Sequence, residues 1–341
     1  MLRLRHLSIA SCTTLSLCSL LAGQTTGLRP GPTYFGMCDA SAAAVLEESG
    51  FVVANDEDNV LRVFSRHDGG LARTSFDLNA HLRPAPDKPE TDIEGATWLK
   101  ERIFWITSHG RNRDGKLRTS RYRLFATEFV RKNGRLTLAG VGAPYQKLVF
   151  DLIGAPHLRK YDFDKASKRA PKSKDGLNIE GLTYTPAGHL WIAFRNPIKK
   201  GDAIIVPLLN PQGVLRFERA KLGMPIEIDL DGRGLRSIEY VPELGEYLML
   251  AGPPSKGSVR LYRWSGATSD KPRRIKGIEF GSLTPEAFVT YAGPSGLEVQ
   301  FFSDDGTRDV DGSVCKALEN PNHRRFRSVF WNGLNSPASL K

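Results

Sequence analysis

Short apolar runs recur along the chain, and most are bounded by Gly, Pro, Asn or Asp. They are rich in β-branched and aromatic residues, as in residues 103–107 and 190–194. Several runs alternate apolar and polar side chains, whereas long amphipathic helical patterns are scarce. Because this pattern is typical of strands, it predicts an all-β protein.

A repeated motif precedes these two runs. Asp92-Ile93-Glu94-Gly95 comes before the first run, and Asn178-Ile179-Glu180-Gly181 comes before the second. Weaker copies contain Glu239 and Glu286, and Asp39 begins a further one. Apart from a longer second interval, the spacing of these acids suits four-stranded blades. The chain is therefore predicted to form a β-propeller with five blades, or with six if the long second unit contains another.

The two ends of the chain are expected to close this propeller. The fifth unit is one strand short, and residues 33–35 near the N-terminus can supply the missing strand. The second unit is predicted to end in a strand at residues 148–152. The basic stretch 154–176, which has few apolar residues, is predicted to be a surface loop over one face.

The N-terminus has the layout of a secretory signal peptide. Arg3 and Arg5 precede an uncharged apolar stretch, residues 7–22, which is too short for a comfortable membrane span. Cleavage would leave one domain, residues 28–341, in the periplasm or outside the cell and without a transmembrane anchor. An uncleaved N-terminal anchor is the alternative. We expect the domain to be a monomer.

Two cysteines, Cys38 and Cys315, would survive this cleavage. Thiols of exported proteins are usually paired, so we predict a disulfide between them. The bridge would close a loop of most of the chain, and the loop-entropy model gives it on the order of 4 to 5 kcal/mol. Two buried free thiols are the alternative.

The composition is that of a globular protein, with 40% hydrophobic residues and a formal net charge of +11. A basic protein attracts anionic partners, so we expect an anionic small molecule or polymer as the ligand. Nucleic acid is excluded as a partner because the chain is predicted to be exported and contains no nucleic-acid-binding motif.

The repeated acids point to a site in the central channel, which the first strand of each propeller blade lines. Five carboxyl groups are expected to converge there: those of Asp39, Glu94, Glu180, Glu239 and Glu286. A ring of oxygen ligands suits Ca²⁺ better than zinc, so calcium is the predicted cofactor and no organic cofactor is expected. Alternatively, the acids accept hydrogen bonds from neighbouring blades and hold channel water.

A second polar ring is predicted where the next strands end. His109 is the candidate proton carrier because its ordinary pKa lies near neutrality, and Arg111 and Arg195 would assist it. Basic residues between 111 and 123 and in the stretch 154–176 would surround the channel, unless they are only solvated loop charges. The candidate ligand-binding residues are Asp56, Asp58, Asn196, Asp304 and Asp305.

Taken together, these motifs resemble the bacterial family called domain of unknown function 3616. The resemblance covers nearly all of the chain after the signal peptide. Because the family has no assigned activity, it implies no mechanism. The motifs that carry it are Cys38-Asp39-Ala40-Ser41, Asp56-Glu57-Asp58-Asn59, Asp92-Ile93-Glu94-Gly95, Ser108-His109-Gly110-Arg111-Asn112, Asn178-Ile179-Glu180-Gly181, Phe194-Arg195-Asn196-Pro197, Arg236-Ser237-Ile238-Glu239 and Ser303-Asp304-Asp305-Gly306.

Three functions are compatible with these features. The first is a calcium-dependent hydrolase of an anionic ester, phosphoester or lactone, with the acidic ring as metal ligands. The second is a binding propeller that recognises an acidic polymer or a protein without chemistry. The third is a glycosidase, in which two carboxyl groups across the channel act as acid and as nucleophile or base.

Overall fold

The computed structural model of the protein describes residues 27–46, 50–132, 134–255, 257–293 and 296–334. Residues 1–26 of the predicted signal peptide lie outside the described residues. Within the described residues, five sheets form the five blades of a propeller, which confirms the predicted fold. The innermost strands of the blades contact one another in turn and surround the central channel.

The first two blades follow the opening strand of the chain. That strand is β1 (Arg29–Phe35). The first blade consists of β2 (Ala42–Leu46), β3 (Gly50–Ala54), β4 (Val60–Ser65) and, after the short β5 (Gly70–Leu71), β6 (Thr74–Asp77). Helix α1 (Asn79–Leu82) leads to the second blade. The second blade consists of β7 (Ile93–Leu99), β8 (Arg102–Thr107), β9 (Leu124–Lys132) and β10 (Arg135–Tyr145).

The third and fourth blades come after a short helical segment. This segment comprises α2 (Leu148–Gly154), the 3-10 turns of Pro156–Tyr161 and α3 (Phe163–Ala166). The third blade consists of β11 (Asn178–Tyr184), β12 (Leu190–Asn196), β13 (Asp202–Leu208) and, after α4 (Pro211–Val214), β14 (Ile226–Asp229). The fourth blade consists of β15 (Gly234–Val241), β16 (Glu246–Gly252), β17 (Arg260–Trp264) and β18 (Arg273–Arg274).

Both ends of the chain share the fifth blade, as predicted. Its strands are β19 (Pro285–Gly293), β20 (Gly296–Ser303) and, after the hairpin of β21 (Asp309–Val310) and β22 (Ser313–Val314), β23 (Arg325–Leu334) with β1. Strands β1 and β23 are antiparallel, and Tyr34 pairs with Phe326. The rings of these two residues stack with their centroids 5.1 Å apart. Hydrogen bonds and aromatic packing therefore close the ring of blades.

The predicted disulfide is present between Cys38 and Cys315, which are 277 residues apart in the sequence. Both side chains are buried beside Val310. The bridge fastens the segment after β1 to the segment before β23. It therefore reinforces the closure of the propeller by a covalent bond.

Two local predictions in the second unit were wrong. Residues 148–152 belong to helix α2 rather than to a strand, because the buried Leu148 and Leu152 lie four residues apart on one helical face. The stretch 154–176 is not merely a surface loop, since Leu158, Tyr161 and Phe163 are buried in the core between the second and third blades. The apolar residues of this stretch are few, but these three pack into the same core cluster.

We predict that removing the disulfide lowers the free energy of unfolding by up to about 5 kcal/mol, because the unfolded chain regains the entropy of a very long loop. The measurement is urea unfolding of the double variant C38S/C315S beside the wild-type protein. Under reducing conditions, the urea midpoint of the wild-type protein should shift toward that of the variant. A double variant with the wild-type midpoint would contradict this role.

Candidate functional site

Four of the five innermost strands begin with a β-bulge, which sets the direction of one side chain. The unpaired bulge residues are Glu94 in β7, Glu180 in β11, Arg236 in β15 and Glu286 in β19. Glycine follows Glu94 and Glu180 because the next blade comes close. A Cβ at Gly95 would lie 3.0 Å from the backbone nitrogen of Leu182.

The bulges correct the predicted acidic ring. In the fourth blade the position equivalent to Glu94 is Arg236, and not Glu239. Glu239 lies three residues further along β15 and lines a different cavity, toward the far ends of the innermost strands. The ring therefore contains three glutamates and an arginine.

The beginnings of the innermost strands open into a cavity of about 740 Å³, which we call the channel mouth. Its lining combines acidic and basic side chains, as the sequence predicts. The acidic residues are Asp56, Glu57, Glu90, Asp92, Glu94, Glu180, Glu286 and Asp304. The basic residues are Lys88, Arg113, Arg118, Arg121, Lys172, Arg195 and Lys316.

Glu180 is held at the channel mouth by a buried ion pair. Its Oε1 lies 2.6 Å from Arg195 Nη1 and accepts a second hydrogen bond from Asn178 Nδ2 at 2.7 Å. The two charged side chains are only 5% and 3% exposed. Glu180 Oε2 is buried and has no hydrogen-bond partner among the described residues. The carboxylate is thus fixed through one oxygen, while the other has no partner in the described part of the chain.

Two further arginines compensate neighbouring acids. Arg236 Nη1 contacts Glu286 Oε1, so the basic member of the bulge ring pairs with an acidic one. Arg121 Nη1 lies 2.8 Å from Asp92 Oδ2, and its Nη2 contacts Glu90. Ion pairs of this kind offset the repulsion between carboxylates that share one cavity.

Glu94 and Asp56 are in a different state, since neither forms an ion pair among the described residues. Burial, followed by the charges of Asp92 and Glu180, raises the pKa of Glu94 well above its ordinary value. Burial and the Asp92 charge likewise raise the pKa of Asp56, whose Oδ1 has no hydrogen-bond partner in the described part of the chain. Both groups are therefore suited to hold a proton at neutral pH.

Asp304 lies at the channel mouth, whereas Asp39 lies behind it and does not line the cavity. Burial and the hydrogen bond with Asp304 raise the pKa of Asp39. Burial alone would raise the pKa of Asp304, but hydrogen bonds from Asp39 and the Gly306 amide lower it. Asp39 is thus the protonated member of this pair, and Asp304 carries the negative charge. Gly306 is required here because a Cβ would lie 2.1 Å from Asp39 Oδ1.

The predicted proton carrier, His109, is not at the channel mouth. Its side chain is fully buried, and its Nδ1 donates a hydrogen bond of 2.7 Å to the Thr107 carbonyl oxygen. Burial lowers the pKa of His109 to about 4. Arg111 donates hydrogen bonds to the carbonyl oxygens of Ser167 and Gly115, so it ties loops together. Neither residue lines the cavity, and we assign no proton transfer to His109.

Three of the predicted ligand-binding residues stabilise the structure around the channel mouth. Asp58 pairs with Arg62 at 2.8 Å, and Asp305 pairs with Arg327 at 2.7 Å. Asn196 Nδ2 donates hydrogen bonds to the carbonyl oxygens of Pro171 and Ser173. Asn196 therefore fastens the loop that carries Lys172 over the cavity.

The sequence interpretation missed two residues of the site. Asp92 belongs to the repeated motif, but the motif alone points to the glutamate two residues later as the functional acid. Arg236 belongs to the weaker third copy, where only the bulge shows that it replaces the glutamate. Among the described residues, no three acidic, histidine or cysteine side chains are grouped so that they could hold a metal ion. The calcium site therefore stays a prediction.

Comparison with known proteins confirms the predicted resemblance to this family. The family model described as "Protein of unknown function (DUF3616)" matches residues 130–291. No curated protein matches the sequence significantly. Within the described part of the chain, every helix is too short or too polar to span a lipid bilayer.

Several solved structures are similar at low identity. A Thermus thermophilus protein described as a putative oxidoreductase (glucose dehydrogenase) is 14% identical, with a TM-score of 0.41, and the match covers 89% of this chain and 100% of that one. Virginiamycin B lyase from Staphylococcus aureus is 10% identical, with a TM-score of 0.38, and the match covers 86% and 95%. An exo-beta-1,3-galactanase from Clostridium thermocellum is 10% identical, with a TM-score of 0.42, and the match covers 84% and 57%. Values this low carry no argument about the activity of this chain.

We predict that Arg195→Met destabilises the protein by about 3–5 kcal/mol, because it leaves the buried charge of Glu180 uncompensated. Urea unfolding at neutral pH measures the change. The matched control is Arg216→Met, which breaks the exposed pair with Glu218 and should cost less than about 1 kcal/mol. Equal losses in the two variants would show that the buried pair does not hold the site.

Proposed function

We propose that this protein, which resembles the DUF3616 family, is an exported hydrolase that uses two carboxyl groups at the channel mouth as acid and base. Its substrate carries an anionic group and an ester, lactone or glycosidic bond. Export is supported by the disulfide, since such bonds persist mainly in oxidising compartments.

One observation carries this proposal. Glu94 and Glu180 occupy equivalent bulge positions in neighbouring blades and line the same cavity, but their surroundings differ. Glu94 is surrounded by other acids and has a raised pKa, whereas Glu180 is paired with Arg195. When environments separate two carboxyl groups in this way, one is suited to act as an acid and the other as a base.

The proposed reaction follows from these two states. Glu180 Oε2 accepts a proton from a water molecule, and the water oxygen forms a bond to the electrophilic carbon. The bond between that carbon and the leaving oxygen breaks, and Glu94 gives its proton to the leaving oxygen. A proton then passes from Glu180 to Glu94 through solvent, which restores the starting state.

The basic side chains at the cavity support an anionic substrate. Lys88, Arg118 and Lys172 line the channel mouth and form no ion pair among the described residues. A carboxylate or phosphate of the substrate would supply the missing partner. No step of the reaction is assigned to a metal ion, because the described acids are not grouped as a metal site.

We expect Glu94→Gln and Glu180→Gln each to lower kcat/KM by about 100-fold or more, since each removes one proton-transfer group. Wild-type activity should fall as the pH rises through the pKa of Glu94, because the acid must carry its proton. The assay is a panel of anionic esters, lactones and uronic acid glycosides. The control is Glu101→Gln, which changes an exposed glutamate outside the cavity. Turnover that survives both active-site substitutions would contradict the proposal.

A second candidate function is the binding of an acidic polymer or of a protein without chemistry. It is favoured by the ion pairs of Asp92, Glu180 and Glu286, which give a rigid charged surface. In this case, saturable and salt-sensitive binding would be measured without turnover of any substrate. Lys172→Ala would weaken that binding, whereas Glu94→Gln would leave it unchanged.

A further inference from the structure

The central channel has a second cavity, of about 240 Å³, which we call the channel base. It is lined by the innermost strand of every blade and lies toward the ends of these strands, away from the channel mouth. Its charged side chains are those of Glu94, Glu239 and Glu243. Among the described residues, no lysine, arginine or histidine lines it. The two cavities therefore differ in charge, since only the mouth contains basic side chains beside its acids.

Aromatic side chains form part of the lining. They are Trp98, Tyr184, Tyr240 and Phe288. Trp98 Nε1 donates a hydrogen bond of 2.7 Å to the Val45 carbonyl oxygen, which fixes the indole ring. The rings of Tyr184 and Tyr240 meet edge to face with their centroids 5.3 Å apart. A rigid set of aromatic faces beside carboxyl groups attracts cations.

Glu239 has one carboxylate oxygen that lacks compensation in this cavity. Its Oε1 accepts a hydrogen bond of 3.1 Å from Thr290 Oγ1. Its Oε2 is buried and has no hydrogen-bond partner among the described residues. A buried carboxylate oxygen without a donor is costly, so a ligand that brings a positive charge or a donor would stabilise it.

We propose that the channel base binds a small organic cation of the primary or methylated ammonium class. Its charge lies against Glu239 Oε2, and its carbon groups pack on the rings of Trp98, Tyr184 and Tyr240. A small inorganic cation would satisfy the carboxylate but would not use the aromatic faces. The inference goes beyond the proposed function, because the ligand is held by Glu239, which takes no part in the proposed reaction, although Glu94 lines both cavities.

The ionisation of Glu239 gives this binding a pH dependence. Burial, and then the Glu243 charge, raise the pKa of Glu239 to about 8. The titratable groups that line the cavity or interact electrostatically with Glu239 are Glu94 from β7, Tyr184 from β11, Tyr240 and Glu243 from β15 and the turn that follows, and Tyr291 from β19. All of these are acidic groups. Because a bound cation favours the carboxylate, affinity should rise as the pH increases through about 8.

The test is isothermal titration calorimetry of the wild-type protein with methylammonium and tetramethylammonium chloride. We expect saturable binding of at least one ion, and sodium chloride should give none. Tetramethylammonium cannot lose a proton, so any pH dependence of its binding comes from the protein. We expect it to bind more tightly at pH 9 than at pH 6. Absence of binding by both ions, or equal binding of sodium, would overturn the proposal.

Glu239→Gln keeps the shape of the side chain and should weaken binding at least tenfold. The matched control is Glu279→Gln, which alters an exposed glutamate elsewhere in the fourth unit and should bind like the wild type. If Glu239→Gln does not fold, the indole N–H resonance of Trp98 in the wild-type protein shows whether the ion binds in the channel base. It should shift on titration with the bound ion, and an unchanged resonance would refute the assignment.

Discussion

Carboxyl groups brought together around one axis must be compensated, and this constraint shapes the centre of the propeller. The innermost strand of each blade begins at the same end of the channel, so Glu94, Glu180 and Glu286 share one cavity. Their repulsion would oppose folding if all were charged. The protein meets this constraint in two ways. Arg195 and Arg236 pair with Glu180 and Glu286, whereas burial, together with the charges of neighbouring acids, favours the neutral forms of Glu94 and Asp56.

The difference between the arginine-paired acids and the neutral acids connects the fold with the proposed chemistry. The closure of the fifth blade by β1 and the disulfide fixes the blades around the axis. The bulges then aim equivalent side chains into the cavity. Because the bulge positions hold one arginine and three glutamates, they are not chemically equivalent. A protonated acid and a fixed carboxylate thus arise at the same structural position in adjacent blades.

Much of the fold could be predicted because it depends on local patterns. The repeated motif revealed the blades, and the missing fifth strand pointed to the N-terminus. By contrast, residues 148–152 are a short apolar run that suits a strand or a buried helix equally, and only the contacts of Leu148 and Leu152 decide. The site was predicted less well. A β-bulge leaves no clear signal in the sequence, so Glu239 was aligned where Arg236 lies. Burial of His109 depends on distant segments, which no local pattern shows.

The most direct test of this account is a carbon-13 NMR titration of the glutamate side-chain carboxyl groups, with the resonance of Glu94 assigned by comparison with Glu94→Gln. The account predicts a resonance that is absent from the variant and that titrates well above pH 4.5, the ordinary pKa of the group. If the Glu94 resonance titrates at or below pH 4.5, the site does not contain the protonated acid on which the proposed function depends.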